Sequence, residues 1–478
     1  MTITRISINK TLQEVEDLLQ QEEQLSSALR AAIQLLLTMV KIMAERFSLN
    51  SRNSSKPPAA DPHREKKPPT PSARSPGGQI GRLGTQLAMT EYPDVIIPIL
   101  CDMQGLPEDT YREAGVERRQ VVEIEIQRKI IEYQAQVLKN TAGKKFVASF
   151  PQGVTRPIQY GHSIKSHSVY LSQYQLIPYE RVADYFNNQA KIPISVGSLC
   201  NFNQEAYELL EAFALHVKNK LRDASLLHVD ETGINVNGKR VWLHCAVNER
   251  WSYFHPDEKR GTLATDAMGI LPAFKGIMVH DHWKPYYTYK HCKHSLCNAH
   301  HVRELKWVTE NHPEYTWAAL LKVLLYTLHD AVNKTEERCL SSEEALVYRT
   351  RYRAIIAIGE QEMPEYQEAE GAKKQGRRKK SKARNLWERL RTYEEDTLRF
   401  MEISYVPFTN NPGEQALRMT KVQQKISGSF RSMEGAKIFC RIRSYLLTAQ
   451  KHKLNLSEAL TELFQGRMPE VFFAEDIP

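Results

Sequence analysis

The chain has 478 residues, 41% hydrophobic and 25% charged, enough for two or three globular domains with a real core. No run of about 18 apolar residues and no signal-peptide pattern occurs, which points away from a membrane and toward the cytosol. Seven irregularly spaced cysteines read as reduced thiols rather than a disulfide framework, and a formal charge of +9 favours a polyanionic partner.

In chain order, residues 10–48 carry apolar positions three and four apart: Val15, Leu18, Leu25, Leu29, Ala32, Leu36, Met39 and Met43, with Glu22 filling one slot. Such a seam over roughly four heptads predicts a coiled coil that joins copies of the chain, the other reading being one amphipathic helix packed on its own domain. Residues 51–88 are rich in Pro, Ser, Gly, Lys and Arg and read as a basic linker. The alternation at Val122, Ile124 and Ile126 predicts a small β-containing unit over 89–160. Residues 161–222 read as helices, one opening at Ser195 or Ser198, in a helix-turn-helix-like arrangement. From 225 the pattern changes to strands: SLLHVDETGINV and VWLHCAVN flank Asn237-Gly238, a strong hairpin signal, and WSYFHP follows. A helix near 261–274, the strand GIMVHD and a short strand at 295–297 complete an α/β sheet of ribonuclease-H-like order over 223–430. Residues 310–400 read as a helical insertion containing GAKKQGRRKKSKAR, with eight Lys or Arg and no acid. A helical region, 431–478, ends the chain.

Asp230 follows the apolar Leu226, Leu227 and Val229, and Asp281 follows Ile277, Met278 and Val279, so both are expected at strand ends. Burying a carboxylate in a sheet is costly, so two of them suggest a metal partner, although Asp also caps turns. Glu231 should face away from Asp230, because side chains alternate along a strand. Glu414 lies in FTNNPGEQALRM. With Asn411 as N-cap it falls at the third helical position and can cap its own helix, or it can meet the two aspartates. Cys297 and His300 form a C-x-x-H pair at a strand-to-helix corner, expected as a buried structural contact because four zinc ligands are not apparent. Arg418, Lys421, Lys425 and Arg431, with Lys373, Lys374, Arg377, Arg378, Lys379 and Lys380 of the basic arm, are the candidate DNA-phosphate contacts.

Taken together, NSSKPP, FPQGVTRPIQYG, HVDETG, VHDHWKPY, CNAHHVREL, NNPGEQALR and SGSFRSMEGA resemble the insertion-sequence-sixty-six family of bacterial DDE transposases over nearly the whole chain. The resemblance implies catalytic, magnesium- or manganese-binding carboxylates at Asp230, Asp281 and Glu414 on a ribonuclease-H-like fold. It also implies cleavage at element ends and strand transfer into double-stranded target DNA, with accessory transposition proteins as possible further partners. Relatives carry paired cysteines between 90 and 145; here Cys101 stands alone, with Gln104 where a partner is expected, so zinc is expected to be absent. Gly413 replaces the small residue, often Ala, that precedes the third carboxylate in relatives. The competing readings are a ribonuclease-H-like nuclease that cuts without joining, and a non-catalytic sequence-specific DNA-binding protein.

Overall fold

The computed structural model describes residues 5–22, 25–48, 87–105, 107–363 and 380–474. They fall into two units by contact, one spanning 1–64, 150–185 and 193–478, the other 65–149 and 186–192. Most of the linker 51–88 and of the basic arm lies outside the described residues. No described helix is long and apolar enough to cross a membrane.

The N-terminal seam forms two helices, Arg5–Gln21 and Ser27–Ser48, rather than one continuous rod. A heptad period cannot reveal this break, which is made by local hydrogen bonds. Ser26 Oγ accepts from Leu29 N at 3.3 Å, and Arg30 donates back to the carbonyls of Leu19 and Glu22. Leu12, Leu19 and Leu37 form the hairpin's small core, with Val15, Leu25 and Ile33 against it. The other apolar seam positions, Leu18, Leu29, Leu36, Met39 and Met43, stay exposed.

In the smaller unit the strands are not at Val122, Ile124 and Ile126 but at β1 (Val137–Lys139) and β2 (Lys145–Val147), an antiparallel pair turning at Gly143, whose φ is +84°. Two strands without a covering layer bury little, so Val122 and Ile124 remain exposed.

The helices His162–Val169, Tyr179–Ala190, Val196–Leu209 and Glu211–Arg222 occupy the region expected to be helical. Ser195 is the N-cap, its Oγ accepting from Ser198 N at 3.1 Å.

The central sheet has the order β5-β4-β3-β6-β7. Its strands are β3 (Leu226–Val236), β4 (Lys239–Val247), β5 (Ser252–Asp257), β6 (Ile277–His280) and β7 (Lys293–Leu296). β3, β4 and β5 form an antiparallel meander; β6 runs parallel to β3 and β7 parallel to β6. The β3–β4 turn is Asn237-Gly238 with φ of 48° and 78°, the two left-handed residues that a tight hairpin requires. One face carries Ile234, Val236, Leu243, Cys245 and Phe254, covered by Leu417 of helix Asn411–Ser427 and by Phe439 and Cys440 of helix Met433–Lys451. Edge strand β5 is closed by the latter helix: Phe254 N donates to Ser444 Oγ at 3.0 Å and Ser252 N to Thr448 Oγ1 at 3.2 Å.

After β7, helix Asn298–Asn311 leads into the expected insertion, built from Thr316–Lys334, Ser342–Glu362, Lys382–Thr392 and Glu394–Leu398. Its core buries Trp317, Tyr352 and Trp387. A Cβ on Gly359 would lie 2.7 Å from the Trp387 ring, so close helix packing requires glycine there. Arg349, nearly buried, is held by Glu394, Glu395 and Glu402.

Candidate active site

Asp230 does not end its strand. It sits inside β3, opposite Cys245 of β4, but β3 pairs with β6 only from Leu226↔Ile277 to His228↔Val279. Asp230 thus stands just past the point where the two parallel strands part, and Asp281 is the first residue after β6. Asp230 is therefore placed by this divergence rather than by a strand end. Each carboxylate is locally fixed. Asp230 Oδ1 accepts from Glu231 N at 2.8 Å and Asp281 Oδ1 from Trp283 N at 3.0 Å. His282 between them has φ +74°, a conformation non-glycine residues seldom adopt, and its N–H donates to His280 Nδ1 at 3.1 Å.

Burial, the charge of Glu231, and the charges of Asp281 and Glu414 push the Asp230 carboxyl well above its ordinary range. Asp281 is raised too, by burial and then by Glu231. Among the described residues, no lysine or arginine pairs with Asp230, Asp281 or Glu414. Glu231 does face the other side of β3. Its nearly buried side chain accepts from Arg260 and from the Tyr286 hydroxyl, each at 2.7 Å, and Arg260 lies over the rings of Trp242 and Trp283. Its place in this network has no local signature, since Arg260 and Tyr286 are distant in the chain.

The helix bearing Glu414 starts one residue earlier than expected. Asn410 is its N-cap position, so Glu414 is the fourth helical residue and forms no capping box. Buried Asn410 ties the helix start to β3 instead. Its Oδ1 accepts from His228 Nδ1 at 2.9 Å, its Nδ2 donates to the Val229 carbonyl at 2.8 Å, and its backbone N–H donates to Cys297 Sγ at 3.1 Å. His228 can fill that role because burial lowers its pKa to about 4 and keeps it neutral. A Cβ on Gly413 would lie 3.1 Å from the Asn410 amide, tighter than ordinary contact, so glycine suits this position.

Glu414 is turned toward the C-x-x-H pair. Its Oε1 lies 3.9 Å from Cys297 Sγ and 3.7 Å from His300 Nδ1. Cys297 is buried, and burial lowers the His300 pKa to about 4, so its contact with Glu414 is not an ion pair. Donor atoms of Cys297, His300 and Glu414 all lie within 4.8 Å of one another; among the described residues Asp230 and Asp281 belong to no such group. Asp230 nevertheless feels the charge of Glu414.

Arg418, Lys421 and Lys425 are exposed and spaced three and four apart on one helix, hence on one face, and Arg431 is exposed just beyond it. Lys421 also donates to the Gly233 carbonyl of β3. Lys380 is engaged with Glu388 at 2.6 Å, whereas Lys373, Lys374, Arg377, Arg378 and Lys379 lie outside the described residues.

Among curated proteins, none matches the chain. Residues 6–88 match a family of unknown function, DUF6444. Residues 157–438, more than half of the chain and including the sheet, the insertion and the helix of Glu414, match the model of the transposase IS66 family. The chain belongs to the IS66 family of transposases.

Proposed function

We propose that the chain is a DDE transposase with a ribonuclease-H-like catalytic domain, cutting DNA at the ends of its element and joining the freed 3′ hydroxyl to target DNA. The observation that carries this reading is the pair Asp230 and Asp281, half-buried where β3 and β6 part, both raised in pKa by desolvation and then by the charge of Glu231, with Asp230 raised further by Asp281. Crowded carboxylates without a cation are costly, and hard oxygen donors suit magnesium or manganese. Asp230, Asp281 and Glu414 would hold these ions, which when bound stabilise charge on the phosphorus oxygens and on the attacking and leaving oxygens. Glu414 serves the aspartates by a side-chain rotation away from Cys297 and His300, whose softer donors lie outside the usual magnesium set. Asn410 holds the start of that helix at β3, the strand that carries Asp230. Glu231, held by Arg260 and the Tyr286 hydroxyl, adds its negative charge to that of the aspartates and so strengthens their demand for a cation. Arg418, Lys421, Lys425 and Arg431 hold DNA phosphates and so position the strand without reading its sequence.

The test uses DNA carrying the element's inverted repeats, with magnesium and a target plasmid. The account expects cleaved ends covalently joined to the plasmid through their 3′ hydroxyl. Cutting without joining would favour a ribonuclease-H-like nuclease, and binding without cutting a DNA-binding protein.

The exposed stripe Leu18, Leu29, Leu36 and Met39 on the N-terminal hairpin pairs two copies of the chain, which brings two DNA ends together. Leu36→Lys places a charge in that stripe without touching the hairpin's small core. It should weaken association at least tenfold in light scattering, ~1.4 kcal/mol or more. Equal masses for the variant and the parent at every concentration would refute the pairing.

A further inference from the structure

Behind the helix of Glu414 lies a cleft of about 530 Å³, lined by Tyr174, Pro412, Gln415, Arg443, Gln450 and Lys451 among others. Arg443 is only 4% exposed, yet its Nε and Nη1 have no hydrogen-bond partner. Its guanidinium lies 5.3 Å from the centre of the Tyr174 ring, a contact that stabilises a cation but satisfies none of its in-plane donors. Lys451 Nζ uses two of its three donors on the carbonyls of Asn248 and Trp251. The one acid in the lining, Glu249, is exposed and makes no ion pair with Arg443 among the described residues. Leaving a buried guanidinium unpaired is expensive, and replacing it with an apolar residue of similar length would relieve the cost. Burial lowers the Arg443 pKa to about 10 and that of Lys451 to about 8. Unsatisfied guanidinium donors, in a cleft that Lys451 also lines and with room for a nucleotide, match the oxygens of a phosphate.

We propose that this cleft is a phosphate-binding site in which Arg443 grips a backbone phosphate of a DNA strand, with Lys451 adding positive charge to the cleft wall. The assignment to a DNA strand rests on the proposed function, whereas the anion site itself does not. Pro412 and Gln415 line the cleft and flank Glu414 in sequence, so a strand anchored here bears directly on the helix that carries the third carboxylate.

The experiment compares the full chain with Arg443→Met in two assays. In thermal melts at matched ionic strength, inorganic phosphate replaces chloride. The parent should gain roughly 3 °C more than the variant, because ligand bound only to the folded state adds to the general salting effect. In chloride the variant should melt at or above the parent. Binding to a 30-base-pair duplex should weaken about tenfold in the variant, with the salt slope shallower by about 0.9 for one lost phosphate contact. Equal phosphate increments in both proteins would overturn the site. A lost increment with unchanged duplex affinity would overturn the DNA assignment and leave a site for free phosphate. Should Arg443→Met fail to fold, Arg443→Lys carries the same comparison, keeping the charge but losing the paired donors; an undiminished increment there overturns the proposal. Asp230→Asn should leave the phosphate increment intact, so this site and the proposed catalysis fail separately.

Discussion

Asp230→Asn is expected to fold, to bind DNA within a few-fold of the parent, and to lose cleavage and strand transfer together by on the order of 10³-fold. Both reactions would use the same ions, and removing several kcal/mol of charge stabilisation costs a factor of ten for each ~1.4 kcal/mol. The stability readout runs the other way. Folding raises the Asp230 carboxyl, so the folded protein favours its neutral form. That contribution is fully present below the unfolded carboxylate range and is lost as pH rises through the folded value. In EDTA at neutral pH, asparagine should therefore raise the melting temperature, with the gain shrinking as pH falls toward about 4. Magnesium should raise the melting temperature of the parent and leave that of the variant unchanged. A variant less stable than the parent in EDTA at neutral pH would mean that the Asp230 charge is compensated within the fold.

Asn410→Ala is expected to be the most damaging change outside the carboxylates. It orphans the buried Val229 carbonyl and His228 Nδ1, each worth about 1–3 kcal/mol when left unpaired, for a loss of roughly 2–4 kcal/mol in urea unfolding. It also frees the helix start that places Glu414, so cleavage should fall further than the stability loss explains. The neighbouring exposed Asn411→Ala is the control and should stay within about 0.5 kcal/mol. Equal effects at the two positions would remove Asn410 from the account.

The Asn237-Gly238 turn, the Ser195 cap, Asp281 after β6 and the helical insertion were all legible in the sequence, because each rests on local chemistry or a short period. The position of Asp230 was not, since the extent of β3–β6 pairing is set by two segments about fifty residues apart in the numbering. Two adjacent asparagines hid the cap, because either can begin a helix; only contact with His228 and Val229 of β3 selects Asn410. The same non-locality conceals the Arg260–Glu231–Tyr286 network and the unpaired donors of Arg443. The N-terminal seam was legible as helix but not as a hairpin, since Arg30 closes the break through backbone carbonyls that carry no sequence signal.

The most direct test of the three-carboxylate account is strand joining by Glu414→Gln in magnesium, with a pre-cut end bearing a free 3′ hydroxyl. Glutamine keeps the length and the helix but lacks the charge, and Glu414 makes no capping box to lose. The account predicts a folded variant that binds DNA and joins no ends above background. Joining at the parent's rate would contradict it. Glu402 is held by Arg349 and Glu231 by Arg260, so neither could take over unchanged.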